Sequence, residues 1–147
     1  MLIGEYTHTI DEKKRISLPA NFRKEIGKKV IVTKGLDGCL FMFTLKGWEK
    51  IVVGNLEKLS IGKSDSRDFG RYLLGSAREI DIDSIGRILI PDNHQEHAGI
   101  TSRSKVVFAG VYSRVEIWEE SKWKECQDKI VKSADQLAEK LGEIGAI

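Results

Sequence analysis

Short runs of alternating apolar and polar residues fill most of the chain, and glycine, proline or polar clusters close each run. That pattern predicts strands joined by tight turns. Glu5–Ile10 reads as a strand, then a polar turn, then a second strand at Arg15–Leu18. Pro19 ends that strand and opens a short helix, Pro19–Ile26, because proline lacks a ladder N–H but suits a first helical turn. Gly27 stands where a left-handed C-cap is expected. A β-branched strand, Lys29–Lys34, follows, and a glycine turn leads to a last strand at Cys39–Phe43.

The same order of elements returns further along. Ile10-Asp11-Glu12-Lys13-Lys14-Arg15-Ile16-Ser17-Leu18-Pro19 matches Ile82-Asp83-Ser84-Ile85-Gly86-Arg87-Ile88-Leu89-Ile90-Pro91 without a gap. Isoleucine, aspartate, arginine, isoleucine and proline recur in place. The second copy predicts strands at Arg78–Ile82, Arg87–Ile90, Lys105–Ala109 and Arg114–Trp118, a helix at Pro91–Ala98 and a cap at Gly99. Aligning Val30 with Lys105 gives it three extra residues around Thr101–Arg103. Phe43 then aligns with Trp118, and Trp48 with Trp123. Each β-β-α-β-β unit is too small to bury much apolar area alone, so the two copies are expected to pair pseudo-symmetrically around one β-rich core.

Between the copies, Trp48, Ile51, Val52 and Leu59 suggest one helix. Phe69, Tyr72 and Leu73 suggest another, with Ser64 or Asp65 as N-cap and Gly75 as stop. After Glu119 the pattern turns helical for the rest of the chain. Trp123, Ile130, Leu137 and Ile144 recur every seven residues, with Ala134 and Leu141 between them. That narrow seam suits packing on another helix, either by folding back on its own domain or by touching another subunit. The expected division is repeat 1 at 5–48, a helical connector at 49–76, repeat 2 at 77–120 and a C-terminal helix at 121–147. Trp48, Trp118 and Trp123 are expected in the core or a subunit contact.

Composition narrows the class. The 147 residues are 41% hydrophobic and 31% charged, a globular balance. No run approaches the ~20 apolar residues of a membrane span. Met1–Tyr6 enters a strand pattern at once, without a basic stretch leading into an apolar one, and Cys39 and Cys126 are isolated. A reducing cytoplasm is the expected setting. The net charge of +2 decides little, but residues 1–35 hold eight cations against four carboxylates, whereas residues 71–110 hold five of each. A localised basic surface is the footprint of a polyanion binder or simply a solvated face.

The repeated Asp-x-x-x-Arg turn carries the candidate chemistry. Asp11 and Asp83 are expected to shape their turns, since an aspartate accepts hydrogen bonds from N–H groups two residues on. Arginine has five donors and one aspartate cannot use them all, so spare donors can grip phosphate or guanine. Lys13, Lys14 and Arg15 stand in a row in the first turn, whereas Arg87 is the only cation in the second. DNA recognition is therefore expected at Arg15, with Lys13, Lys14, Arg23 and Lys24 on the backbone and Arg87 structural first.

An enzyme would have to use Asp83, Arg87, His94, Glu96 and His97. His94-Gln95-Glu96-His97 fits neither His-Glu-x-x-His nor His-x-x-Glu-His. The aligned Phe22-Arg23-Lys24-Glu25 could not ligate a metal. Both histidines are expected to be exposed, and no metal, cofactor or catalytic activity is expected. A non-catalytic assembly factor, using the tail seam and the tryptophans, is a further reading.

The chain resembles the MraZ family, built from SpoVT-AbrB-type swapped-hairpin domains. The resemblance rests on Gly4-Glu5-Tyr6, on the two Asp-x-x-x-Arg turns each followed by Ile-x-x-Pro, on Phe22-Arg23, and on Arg114-x-Glu116-Ile117-Trp118. It implies an α+β fold: a duplicated swapped-hairpin, double-split β-barrel with connector helices and a C-terminal helix. It also implies a bacterial, cytoplasmic, nucleoid-associated transcription regulator. Such a regulator binds G-rich direct repeats upstream of the division and cell-wall gene cluster, its own promoter included. It implies rings of about eight subunits, and it places DNA binding on Arg15. The family turn usually has glycine before that arginine, as at Gly86. Lys14 departs from this, and lysine disfavours the positive φ that glycine suggests.

Overall fold

The computed structural model describes all residues from Met1 to Ile147. Eight strands form in chain order: β1 (Ile3–Thr9), β2 (Arg15–Ser17), β3 (Lys29–Lys34), β4 (Leu40–Phe43), β5 (Arg78–Asp81), β6 (Arg87–Leu89), β7 (Lys105–Val111) and β8 (Val115–Glu119). The helices are α1 (Ala20–Arg23), α2 (Leu45–Gly47), a π-helical stretch at Trp48–Val53, α3 (Gly54–Leu56), α4 (Ser64–Leu73), α5 (Asp92–Ala98) and α6 (Glu120–Glu143). The fold is α+β, and all strand pairs are antiparallel.

The copies exchange strands. A six-stranded sheet runs β1-β7-β8-β4-β3-β5, so the first strand of each copy pairs with the third strand of the other. The short strands β2 and β6 form a separate two-stranded ribbon. Ile16 faces Ile88 in the ribbon and Phe41 faces Glu116 in the sheet. A pseudo-dyad passes through both pairs. Between ribbon and sheet lies one core from both copies, including Ile10, Leu18, Phe22, Val30, Ile90 and Phe108.

Strand register corrects the repeat alignment. Thr9 pairs with Lys105 and Asp81 with Lys29, so Lys105 is the counterpart of Lys29, not of Val30. The second copy therefore carries four extra residues, Ile100–Arg103, and recovers one in the following turn, because Trp118 still matches Phe43. A one-residue slip would swap the core and outer faces of β7, and the core-facing Val106 and Phe108 forbid it.

The outer face of the sheet is also covered. Phe43, Val52 and Leu73 pack under the connector helices. Cys39, Val107 and Trp118 pack under the start of α6, with Trp123 and Cys126. That burial is why β7 reads as an unbroken apolar run.

Several local expectations are corrected. α1 is a single turn, closed when the N–H groups of Glu25 and Ile26 both donate to the Phe22 carbonyl. Gly27 therefore needs no left-handed cap, whereas Gly99 adopts one at φ 69°. Ser64 and Asp65 lie inside α4, which Lys63 precedes without a side-chain cap. Asp65 instead favours the positive end of the helix dipole. Gly75 terminates α4 as expected, its N–H donating to the Arg71 carbonyl at 3.1 Å. α6 does not fold back along its domain: only its first turns pack, and Ile130, Leu137, Leu141 and Ile144 stay exposed within one chain. No helix is long and apolar enough to cross a membrane.

Candidate nucleic-acid interface

The two Asp-x-x-x-Arg turns are alike bond for bond. Asp11 Oδ1 accepts from the backbone N–H of Lys13 at 2.8 Å and of Arg15 at 2.9 Å, and Oδ2 accepts from Arg15 Nε at 2.9 Å. Asp83 Oδ1 accepts from the N–H of Ile85 at 3.1 Å and of Arg87 at 2.8 Å, and Oδ2 from Arg87 Nε at 2.7 Å. These bonds hold both carboxyls below their ordinary range, the arginine backbone N–H contributing most in each. Each aspartate engages only the Nε of its arginine, and the terminal guanidinium nitrogens make no hydrogen bond within the chain.

The ribbon sets these arginines side by side. Ile16 and Ile88 point into the core, so Arg15, Ser17, Arg87 and Leu89 lie on the outward face. Arg15 is the cross-strand neighbour of Leu89, and Arg87 of Ser17. A two-stranded ribbon fits a DNA major groove about 12 Å wide.

Lys14 adopts φ 66° where Gly86 has φ 84°, so the turn conformation is kept without glycine, at a cost of about 1–2 kcal/mol. Bonds to the other copy hold both residues. The Lys14 carbonyl accepts from Ile90 N–H at 3.0 Å, and the Gly86 carbonyl from Leu18 N–H at 2.9 Å. The Lys14 ammonium also pairs with Asp92 at the start of α5.

Strand exchange redistributes the expected cations. Arg23 lies across the second turn, where a Cβ at Gly86 would overlap its guanidinium; its Nε donates to the Leu18 carbonyl at 3.0 Å. Lys24 is exposed past α1, with no ion pair or hydrogen bond to either turn. Arg103, which the sequence did not single out, pairs with Glu12 of the first turn. The first turn thus gathers Lys13, Lys14, Arg15 and Arg103 against Asp11, Glu12 and Asp92. The second gathers Arg23 and Arg87 against Asp83. At the tips, Lys13 is exposed on the first turn and Ile85 on the second.

The histidines depart from expectation. His94 is fully buried, as is Phe22, its counterpart in the first copy. His94 Nε2 lies 2.6 Å from the Ser76 carbonyl, so it carries the proton and donates. Nδ1 has no partner, and burial holds the ring below its ordinary 6.5. His97 is half-buried beside the Tyr72 ring. Asp83 and Arg87 bond to each other, and the hydrogen bonds of His94 and His97 lead to Ser76 and Tyr72 instead.

Comparison with known proteins places the chain. A family model described as "MraZ protein, putative antitoxin-like" matches twice, at residues 1–72 and 73–142. The chain is 46% identical over 144 residues to the transcriptional regulator MraZ of Thermoanaerobacter sp. (strain X514), covering 98% of this chain and 99% of that one. It is 43% identical over 145 residues to the proteins of the same name from Caldicellulosiruptor bescii and Clostridium tetani, with 99% of each chain covered in both cases.

Proposed function

The chain belongs to the MraZ family, and from that premise we propose that it is a transcription regulator that reads promoter DNA through its first Asp-x-x-x-Arg turn. Its relatives are named as regulators of transcription, not as enzymes. The observation that carries the reading is the pair of aspartate-clamped arginines on the outward face of one ribbon. The aspartate fixes the fork, and the free nitrogens point where a base edge or phosphate can enter.

Arg15 is the principal reader. Lys13 and Lys14 contact the backbone beside it, with Lys24 at longer reach. Arg87, with Arg23 across its turn, makes the subsidiary contact. Asp11 and Asp83 keep the forks aimed. One subunit neutralises about two or three phosphates, and each contact adds about −0.9 to the slope of log affinity against log salt. Such weak contacts need multiplication, which tandem G-rich direct repeats supply to linked subunits through effective concentration. In this reading 5–48 and 77–120 form the DNA-binding unit, and 49–76 and 121–147 serve assembly into a ring of about eight. The exposed seam of α6 suits that contact. The target is the promoter of the division and cell-wall cluster, the chain's own promoter included, and the setting is the cytoplasmic nucleoid.

Nuclease footprinting on the DNA upstream of its own gene tests this. Protection should fall on regularly spaced G-rich boxes. Uniform protection, or none at ~0.1 M salt, would contradict sequence-specific reading.

A further inference from the structure

We propose that Arg103 is a DNA-phosphate contact of the first turn, delivered there by the four extra residues of the second copy. The proposal rests on the first turn being the reader.

The insertion is bolted to that turn. Ile10, the residue before Asp11, donates its N–H to the Ser104 carbonyl at 3.0 Å, and its own carbonyl accepts from Arg103 N–H at 3.1 Å. The loop closes on itself as well: Ser104 N–H donates to the Thr101 carbonyl at 3.0 Å, and Thr101 N–H to Ser104 Oγ at 2.9 Å. Arg103 is held at φ 66°, a conformation that costs an arginine about 1–2 kcal/mol. Its position relative to Lys13 and Arg15 is therefore set by backbone bonds.

Stability does not account for this arrangement. The Arg103 side chain is 74% exposed and its only partner, Glu12, is exposed too. A surface pair of that kind contributes about 0–1 kcal/mol, too little to offset the backbone strain. An outlier maintained at a net cost beside a binding surface points to function. The chemistry fits a phosphodiester: one carboxylate cannot occupy five guanidinium donors, and a phosphate oxygen can replace it. Glu12 keeps the guanidinium beside the turn until DNA arrives.

The device is one-sided. Ser84 stands where Glu12 does, and the second turn has Lys28 where the first has Ser104, with no inserted arginine. The pseudo-dyad that relates the turns is broken by Arg103, and the two ends of the ribbon meet DNA with different strength.

Salt titrations of labelled upstream DNA, from 50 to 200 mM, test this with wild type, Arg103→Gln, Arg103→Lys, the double variant Arg103→Gln/Glu12→Gln, and Arg15→Ala. Loss of one phosphate contact should shallow the slope by about 0.9 per engaged subunit and weaken binding about eightfold near 0.1 M salt. Arg103→Lys should keep the wild-type slope, and the double variant should keep the shallow one. A double variant that regains the wild-type slope would show that Arg103 only neutralises Glu12 and would overturn the proposal. So would an unchanged slope in Arg103→Gln while Arg15→Ala loses binding. Wild-type binding by Arg15→Ala would bring down the first-turn reading itself, and Arg103 with it.

Discussion

Phe22 and His94 occupy the same place in the two copies, both fully buried, one an apolar ring and the other an imidazole bonded to the Ser76 carbonyl. Arg23 and Gln95 are likewise counterparts, and each donates to an equivalent carbonyl, of Leu18 at 3.0 Å and of Ile90 at 2.8 Å. Lys14 and Gly86 share a left-handed backbone. The duplicated fold thus keeps volumes, backbone bonds and dihedral angles while the side chains diverge. What divergence changes is the surface. The first turn acquires Lys13, Lys14 and Arg103, and the second has an exposed Ile85 and borrows Arg23 from the other copy. Equivalent scaffolding carries unequal contacts with DNA.

The sharpest stability test of that equivalence is truncation in the shared pocket. Phe22→Ala should cost about 3–5 kcal/mol in chemical denaturation, as large buried rings do. His94→Phe, which copies the first half into the second, should cost less, about 1–3 kcal/mol, because it leaves the Ser76 carbonyl without its donor. Equal losses would mean that the two pockets are not interchangeable. Next in size is the turn. Gly86→Ala should destabilise by about 1–2 kcal/mol through its φ of 84° and should push Arg23 aside. Lys14→Gly relieves the same strain and loses only an exposed pair worth about 1 kcal/mol or less. Its melting temperature should match or exceed wild type while DNA affinity falls. A fall in both would make Lys14 structural.

The smallest effect is on pH dependence. Burial depresses His94, so the unfolded chain takes up its proton first as pH drops below 6.5. The stability that the neutral ring allows is whole above 6.5 and declines as pH falls toward the folded value. Arg78, Lys34 and His97 add repulsion in the same direction. His94→Phe should flatten this limb of a stability-against-pH curve. Asp11 and Asp83 act lower: their contribution is complete above 3.8 and is lost as pH falls through their depressed values.

The duplicated elements and the paired turns were legible because their signals are local: Ile-Asp, Arg-Ile and a proline recur within ten residues. Strand exchange was not, since nothing near Tyr6 names Phe108 as its cross-strand partner. The four-residue register was hidden for a related reason. Val106, Val107, Phe108 and Ala109 are all buried, so alternation could not say which faced the core. The burial of His94 had a signal in its alignment with Phe22, masked by the polar neighbours Asn93, Gln95 and Glu96. Arg23 and Arg103 reach their turns only through the tertiary swap, and no spacing rule could have placed them.

The most direct test sets Arg15→Ala beside Arg87→Ala on the same upstream DNA, with assembly size measured for each. The account predicts that Arg15→Ala abolishes the specific shift without altering assembly, and that Arg87→Ala weakens it by a smaller factor. Retention of wild-type affinity by Arg15→Ala, or equal loss in both variants, would contradict the claim that the first turn is the reader.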